Sequence, residues 1–122
     1  MKPIEKHLCS VMHDFIGLHI SEVKDPYDSL GFKNSRDMLS RIKKDPQVAL
    51  WALTEFCAWG LAKDYFSEFV VDETEIGGYV YFTYRLGDKF VYVDEDCNNN
   101  PVITEVEKVT EIIEVTRWKK LG

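Results

Sequence analysis

Basic residues, long apolar stretches and cysteines are all scarce in this sequence, and each scarcity argues against a class of protein. Lys and Arg number 15 against 21 Asp and Glu, which gives a formal charge of −6. Because phosphate contacts need clustered basic side chains, this balance argues against a nucleic-acid-binding protein. No apolar run approaches the roughly 18 residues that span a bilayer, and polar residues dominate the start, so we expect neither a membrane helix nor a signal peptide.

The cysteines are too few and too far apart for a disulfide framework. Only Cys9, Cys57 and Cys97 are present. An odd number with wide spacing is atypical of a disulfide-stabilised domain, so a reducing cytoplasm is the simplest compartment. We expect Cys9 and Cys57 to lie on apolar helix faces, where a free cysteine behaves as a small hydrophobic residue, and Cys97 to be exposed.

What the chain does contain is enough apolar material for one folded domain. Hydrophobic residues make up 45% of its 122 residues and aromatic residues 13%, which is not the composition of a disordered chain. This length suits one domain with its own core, without help from metals or disulfides. We therefore predict a single domain over residues 1–122.

Apolar periodicity predicts three helices in the first half of the chain. Apolar residues recur at spacings of three and four over 4–18, over 35–44, and from 46 to about 65. Asp45 is the expected N-cap of the third helix, because its side chain can accept a hydrogen bond from a backbone N–H of the first turn. Pro46 suits that first turn, where its missing N–H would have no partner within the helix. The segment 21–34 is rich in turn-forming residues and is expected to be a loop.

The second half changes to β-rich patterns. A β-like stretch over 69–78 is followed by two runs, 79–86 and 89–94, which flank Gly87-Asp88. A Gly-X pair between two such runs predicts a hairpin with a type II′ turn. The two-residue turn fixes the register, so one face of the hairpin carries the predicted core residues Val80, Phe82, Tyr84, Leu86, Val91 and Val93.

The segment 102–118 carries signals for both strand and helix. Its many β-branched residues favour a strand, and the hairpin needs further sheet partners. Its early acids, late basic residues and helical apolar spacing also fit a helix. We favour the strand, which completes an α+β fold with three N-terminal helices packed on an antiparallel sheet of about four strands.

The acidic loop that follows the hairpin has oxygen-bearing side chains at calcium-ligand spacing. Counted from Asp94, they fall at the first, third, fifth and seventh positions, and Glu105 is the twelfth. The sixth position is Asn99 instead of glycine, and Pro101 follows closely. An Asx-rich turn accounts for the same residues without an ion, so calcium stays an alternative and we assign no metal or cofactor.

No catalytic constellation emerges from the remaining polar residues. His7, His13 and His19 are six residues apart and do not share one helix face, so they are not expected to bind zinc together. No pairing of a Ser or Cys nucleophile with a histidine can be inferred, and Cys97 has acidic neighbours that disfavour its thiolate. We therefore predict that the protein is not an enzyme.

Aromatic and acidic residues are concentrated around the predicted hairpin. Aromatic anchors with an acidic rim suit docking onto a basic protein, and acidic charge accelerates such encounters. The alternative is that a helix or the C-terminal strand covers the aromatics and the acids only maintain solubility. The candidate partner-binding residues are Asp72, Glu73, Glu75, Tyr79, Tyr81, Tyr92, Asp94, Glu95 and Asp96.

The hairpin region also carries a family resemblance. The run 87–94, followed by Asn99-Asn100-Pro101-Val102, looks like the strand–loop–strand of the SUKH superfamily. The whole chain resembles small bacterial immunity proteins of polymorphic-toxin and contact-dependent growth-inhibition systems. The order of helices then strands also resembles the cone-shaped fold of nuclear transport factor. The resemblance to immunity proteins implies a cytoplasmic antitoxin without catalytic residues.

Two functions follow as hypotheses. The first is an immunity protein that neutralises a cognate toxin, for which a basic nuclease is the natural target, by covering its active site with the acidic and aromatic surface. The second is a small-molecule-binding or enzymatic cone-shaped domain, with His13, Trp59 or Tyr84 lining a cavity. The oligomeric state stays open.

Overall fold

The chain folds into helices followed by an antiparallel sheet, as the α+β prediction requires. A computed structural model describes residues 1–24, 30–95, 97–98, 101–107, 109 and 118–121. Within these residues the helices precede all four strands. The helical elements are α1 (Pro3–Leu18), a 3₁₀ turn (Ile20–Glu22), α2 (Ser35–Lys44), α3 (Pro46–Trp51) with its π-helical continuation (Ala52–Gly60), and the single turn α4 (Phe66–Phe69).

Local capping sets the beginnings of α2 and α3. The Asn34 side chain accepts a hydrogen bond from the Asp37 N–H at 2.8 Å, and the Asp45 side chain accepts one from the Gln47 N–H at 2.9 Å. Both bonds satisfy backbone donors that a helix start otherwise leaves unpaired. The predicted Asp45 cap and the predicted bounds of α2 are therefore confirmed.

The third helix ends earlier than predicted and changes its winding. It runs to Gly60 instead of about residue 65, and beyond Trp51 it is a π-helix. At Leu61 the backbone becomes extended, with φ −92° and ψ 156°. Gly60 is required there, because a Cβ would lie 2.3 Å from the Phe56 ring. The chain then turns, with the Tyr65 N–H donating to the Cys57 carbonyl at 2.7 Å.

The sheet is a four-stranded meander in the order β1-β2-β3-β4. Both hairpin turns use glycine at positive φ: 60° and 85° in the Gly77-Gly78 turn, and 66° at Gly87. Such values suit the two-residue turns that match strand twist. The strands are β1 (Val70–Ile76), β2 (Tyr79–Leu86), β3 (Lys89–Glu95) and β4 (Pro101–Val106).

The predicted hairpin register is confirmed at its closed end. Leu86 pairs with Lys89 and Tyr84 pairs with Val91. The strand prediction for the C-terminal segment is confirmed up to Val106, where β4 pairs with β3. Most of the segment beyond Val106 lies outside the described residues.

The helices cover one face of the sheet, and they cover it unevenly. Tyr84, Leu86 and Val91 are buried, whereas Val80, predicted to face the core, is 49% exposed. Val80 lies at the end of β2 where a cleft separates the sheet from α3 and the π-helix. The helical side of the core is supplied by buried residues of α1, α2, α3 and the π-helix: Leu8, Met12, Ile16, Met38, Ile42, Leu50, Leu53 and Phe56.

Two further features bear on the environment of the chain. Cys9 and Cys57 are buried and Cys97 is exposed, as predicted. Among the described residues, no helix is both long enough and apolar enough to cross a membrane.

Candidate functional site

Five of the nine predicted site residues share the face of the sheet that points away from the helices. Directly paired residues of an antiparallel sheet lie on the same face, and neighbours along a strand alternate. Tyr92 pairs with Thr83, and Thr83 pairs with Asp72. Alternation along β2 and β3 then assigns the other members, so this outer face carries Asp72, Tyr79, Tyr81, Tyr92 and Asp94.

Two other predicted residues fall on the opposite face. Glu73 pairs with Phe82 and Glu75 pairs with Val80, both on the side that faces the helices. Both glutamates are nevertheless exposed, and they lie on β1 at the edge of the sheet. In β3, Glu95 pairs with Pro101, and Asp96 lies outside the described residues.

An irregularity in β1 gives Asp72 its place on the outer face. Val70 pairs with Tyr84, and Asp72 pairs with Thr83, so Val71 is an extra residue in a β-bulge. Val71, Asp72 and Tyr92 line a groove of about 570 Å³ on this face. A bulge cannot be read from the sequence pattern, because it interrupts the alternation by one residue.

The outer face is aromatic and solvent-exposed near the Gly77-Gly78 turn. Tyr79 is 71% exposed and Tyr92 is 42% exposed, while Tyr81 is half-buried. Arg85 lies on the same face nearer the other turn, where its Nε donates to the Gly87 carbonyl at 3.0 Å. Asp72 and Tyr92 lie level with Thr83 in the middle of this face and line its groove together with Arg85. The end of the sheet next to the Gly77-Gly78 turn, which we call the sheet tip, consists of Tyr79, Val80, Tyr81, Val93 and Asp94.

A cleft of about 780 Å³ separates the sheet tip from α3 and the π-helix. The sequence did not reveal it, because it joins two elements that are about thirty residues apart in the chain. Its sheet side consists of the sheet tip and Pro101. Its helical side consists of Gln47, Leu50, Trp51, Thr54 and Glu55.

Trp51 is the aromatic residue on the helical side of this cleft. It is half-buried, and its ring packs at 5.3 Å from that of Phe32 and 4.9 Å from that of Phe56. The Arg41 guanidinium lies over the Phe32 ring, 4.6 Å from its centre. The Trp51 ring is therefore fixed by packing and does not need to be ordered by a ligand.

A second hollow continues the cleft along the π-helix. It has a volume of about 360 Å³ and shares Trp51 and Glu55 with the cleft. Its other lining residues are Gly60 and Trp59, and the Trp59 side chain is 86% exposed. The unusual winding of the π-helix is of a kind that is frequent at functional sites.

The three histidines occupy separate places and serve local contacts. His7 Nε2 donates to the Leu86 carbonyl at 2.6 Å, which ties α1 to the β2–β3 turn. His13 bonds to the carboxylate of Asp14, its neighbour in the chain. Within the described residues, no group of three or more His, Cys, Asp or Glu side chains could hold a metal ion.

The ends of the calcium-like spacing are separated by the sheet. Asp94 pairs with Val102, whereas Glu105 pairs with Val91, so the two carboxylates lie on opposite faces. Three strand positions also separate them, about 10 Å. Since calcium ligands lie 2.3–2.6 Å from the ion, these two residues cannot serve one site in this arrangement. Glu105 instead accepts a bond from Lys89 Nζ at 3.1 Å.

The residues suggested for a cone-shaped cavity do not line the cleft. Tyr84 is buried in the core, where burial raises its pKa to about 12. Trp59 borders the adjoining hollow, and His13 lies on α1. The buried cysteines are poor nucleophiles, since burial raises the pKa of Cys9 and raises that of Cys57 to about 12.

A carboxylate-centred cluster holds the end of α1 against the segment before α4. The Tyr65 hydroxyl donates to both Glu22 oxygens at 2.8 Å, and His19 Nδ1 bonds to Glu22 at 2.6 Å. The bonds from Tyr65 and His19 lower the pKa of Glu22, and the bond to Glu22 raises the pKa of Tyr65 to about 12. The Phe15 ring packs against the rings of Tyr65 and Phe69, so this cluster stabilises the contact between the end of α1 and the segment before α4.

No family model, curated protein or solved structure matches this chain. The evidence for the function of this chain therefore comes from the geometry of the sheet tip, the outer face and the cleft.

Proposed function

We propose that this chain is an immunity protein that binds a cognate bacterial toxin and neutralises it by covering its active site. The surface that does so is the exposed outer face around the sheet tip, and the target is a basic toxin domain such as a nuclease. The protein acts by binding, not by catalysis, and it acts in the cytoplasm without nucleic-acid or membrane partners.

The observation that carries this proposal is the combination of exposed tyrosines and carboxylates on the outer face of the sheet. Tyr79 and Tyr92 are both solvent-exposed, and Asp72 and Asp94 are exposed on the same face. Tyrosines at interfaces provide large contact areas at a small cost in side-chain entropy. An exposed aromatic surface with acidic neighbours is therefore suited to a basic protein surface.

The charge of the whole chain supports the same partner. A net charge of −6 on 122 residues creates a field that accelerates encounters with a basic protein. A nuclease must attract phosphates, so the rim of its active site is basic. An acidic inhibitor can occupy that rim in place of the substrate.

The test uses cells that produce the protein encoded immediately upstream of this gene. We expect wild-type chain to restore growth, and the double variant Asp72→Lys, Asp94→Lys to lose this protection because it repels a basic partner. The matched control is Asp14→Lys, Glu68→Lys, which makes the same change in net charge away from the sheet tip. Protection by the first variant, or equal loss in both, would contradict the proposal.

The cleft supports a second candidate, a small-molecule-binding domain. Its volume of about 780 Å³ is within the range of small-ligand sites. A neighbouring protein that neither binds this chain nor is neutralised by it, together with tight binding of a small metabolite in the cleft, would favour this alternative.

A further inference from the structure

The two edge strands of the sheet, β1 and β4, differ in charge and in regularity. β1 carries three carboxylates, those of Asp72, Glu73 and Glu75. The Asp72 side chain also accepts a hydrogen bond from the Glu73 N–H at 2.8 Å, and the bulge at Val71 interrupts the strand. Charged side chains and bulges are features that protect an edge against pairing with another strand. β1 is therefore a protected edge.

β4 has fewer of these protections. Its residues 102–106 are β-branched except for Glu105, whose carboxylate is already bonded to Lys89 Nζ at 3.1 Å. Pro101, which has no N–H, stands only at the first position of the strand. A regular strand with high β-propensity and little charge is suited to pairing with another strand.

The edge of β4 that faces away from β3 is open among the described residues. No described strand pairs with it, and no described backbone hydrogen bond outside the helices and strands reaches it. Beyond β4, Glu107 and Val109 line the groove on the outer face, so the described chain leaves the strand towards that face. On the helix-facing side, Lys2 and Glu5 of the α1 end border a small hollow with Ile103. The edge between the two faces is therefore accessible.

The hairpin geometry determines which backbone groups of β4 point to this edge. The residues that flank a two-residue turn bond to each other, and bonded pairs then alternate with non-bonded pairs along the ladder. Leu86 and Lys89 flank the β2–β3 turn, so alternate residues of β3 from Phe90 onward bond to β4. Their partners in β4 are Val106, Thr104 and Val102. The N–H and C=O groups of Ile103 and Glu105 therefore point to the open edge.

One antiparallel pairing of two β4 strands satisfies these groups without a charge conflict. When Thr104 lies opposite Thr104 of a second copy, Ile103 lies opposite Glu105, and each such pair exchanges both backbone hydrogen bonds. Threonine pairs are favourable at directly opposed positions. A pairing centred on Ile103 instead places Glu105 opposite Pro101, which lacks a donor. A pairing centred on Glu105 places two carboxylates opposite each other, which is unfavourable.

We propose that β4 pairs antiparallel with β4 of a second copy of this chain, with Thr104 opposite Thr104 across a two-fold axis. The same surface is used on both copies, as in other two-fold dimers, and the two sheets become one. A second copy suits β4 because uncharged β-branched residues then face each other, whereas two β1 strands would place carboxylates together. This inference goes beyond the proposed function, since it uses an edge of the sheet and not its outer face.

Sedimentation equilibrium of the full chain over a range of concentrations measures the dimer. We expect the wild type and Glu105→Ala to dimerise. Glu105→Pro removes an edge N–H and no bond to β3, so it should weaken dimerisation at least about tenfold. Glu105→Ala is the matched control, because it also loses the bond to Lys89 but keeps the N–H. A monomeric wild type, or equal dimerisation by the two variants, would overturn the proposal.

Cysteine cross-linking tests the register independently of the proline variant. In a Cys97→Ser background only the buried cysteines remain. Thr104→Cys should then form a disulfide between two copies on mild oxidation, because opposed residues of a non-bonded pair are within disulfide distance. Val106→Cys should not, since it lies opposite Val102 of the second copy. No cross-link through Thr104→Cys, or equal cross-linking by both variants, would overturn the proposal.

A strand of a different protein is the rival occupant of this edge. It would be indicated by a wild-type chain that is monomeric alone, and whose Ile103 and Glu105 amides become protected from hydrogen exchange only when the protein encoded immediately upstream is bound. That result would overturn self-pairing and leave the toxin partner standing. Dimerisation through β4 without neutralisation of that protein would refute the toxin partner alone.

Discussion

The two ends of strand β2 lie in opposite environments. At the end near Gly87, Tyr84 and Leu86 are buried beneath the helices. At the end near Gly78, Tyr79 and Val80 are 71% and 49% exposed. The helix-facing residue next to each turn is aliphatic, Val80 at one end and Leu86 at the other, so residue type does not distinguish these two positions. The extent of the helical layer decides that Leu86 is buried and Val80 is exposed. Tyr79 is available to a partner because it lies on the face that points away from the helices, whereas Tyr84 faces them.

The contrast explains why one hairpin can stabilise the fold and present a surface. The covered end is anchored from α1, where His7 bonds to the Leu86 carbonyl. The exposed end extends beyond the helices, and the cleft opens there. A rigid strand thus carries exposed aromatics without relying on a flexible loop to hold them.

The largest expected effect is on stability at the covered end. Leu86→Ala should lower the free energy of unfolding by about 2–5 kcal/mol, because it removes a fully buried side chain and leaves a cavity. Val80→Ala, the matched change at the exposed end, should cost less than about 1 kcal/mol. Urea denaturation of both variants measures the difference. Similar losses would mean that the helices cover the sheet tip as well.

An intermediate effect is expected in the tyrosine titration. Tyr84 and Tyr65 should both ionise near pH 12. Burial raises the pKa of Tyr84 from 10 to about 12. The hydrogen bond to Glu22 raises the pKa of Tyr65 from 10 to about 12. Their neutral forms stabilise the fold, so this contribution is complete below about pH 10 and is lost as the pH rises through 12.

Ultraviolet difference spectroscopy of the wild type and of Tyr84→Phe measures this titration. The variant should lack one late ionisation step. A Tyr84 that ionises near pH 10 would indicate that the covered end is open to solvent.

The smallest effect on stability is expected at the sheet tip. Tyr79→Ala should change the free energy of unfolding by no more than about 0.5 kcal/mol, because its side chain is mostly exposed. Thermal unfolding followed by circular dichroism measures it. A loss of several kcal/mol would show that Tyr79 is a structural residue and would remove the reason to place it in a docking surface.

Local signals predicted the elements well, and long-range packing decided the rest. The Asp45 cap and the Gly87 turn act within a few residues, so the start of α3 and the hairpin register could be predicted directly. The change to a π-helix after Trp51 is not indicated by apolar spacing that fits a 3.6-residue period.

The candidate site was predicted only in part for the same reason. The outer-face tyrosines followed from strand alternation. The bulge at Val71 and the cleft against Glu55 did not, because each depends on how distant parts of the chain meet.

The most direct test of the docking surface is the affinity between this chain and the protein encoded immediately upstream, measured by isothermal titration calorimetry. We predict tight binding by the wild type and by Asp14→Lys, Glu68→Lys, and binding at least about a hundredfold weaker by Asp72→Lys, Asp94→Lys. Equal affinities for all three proteins would contradict an acidic, aromatic docking surface at the sheet tip.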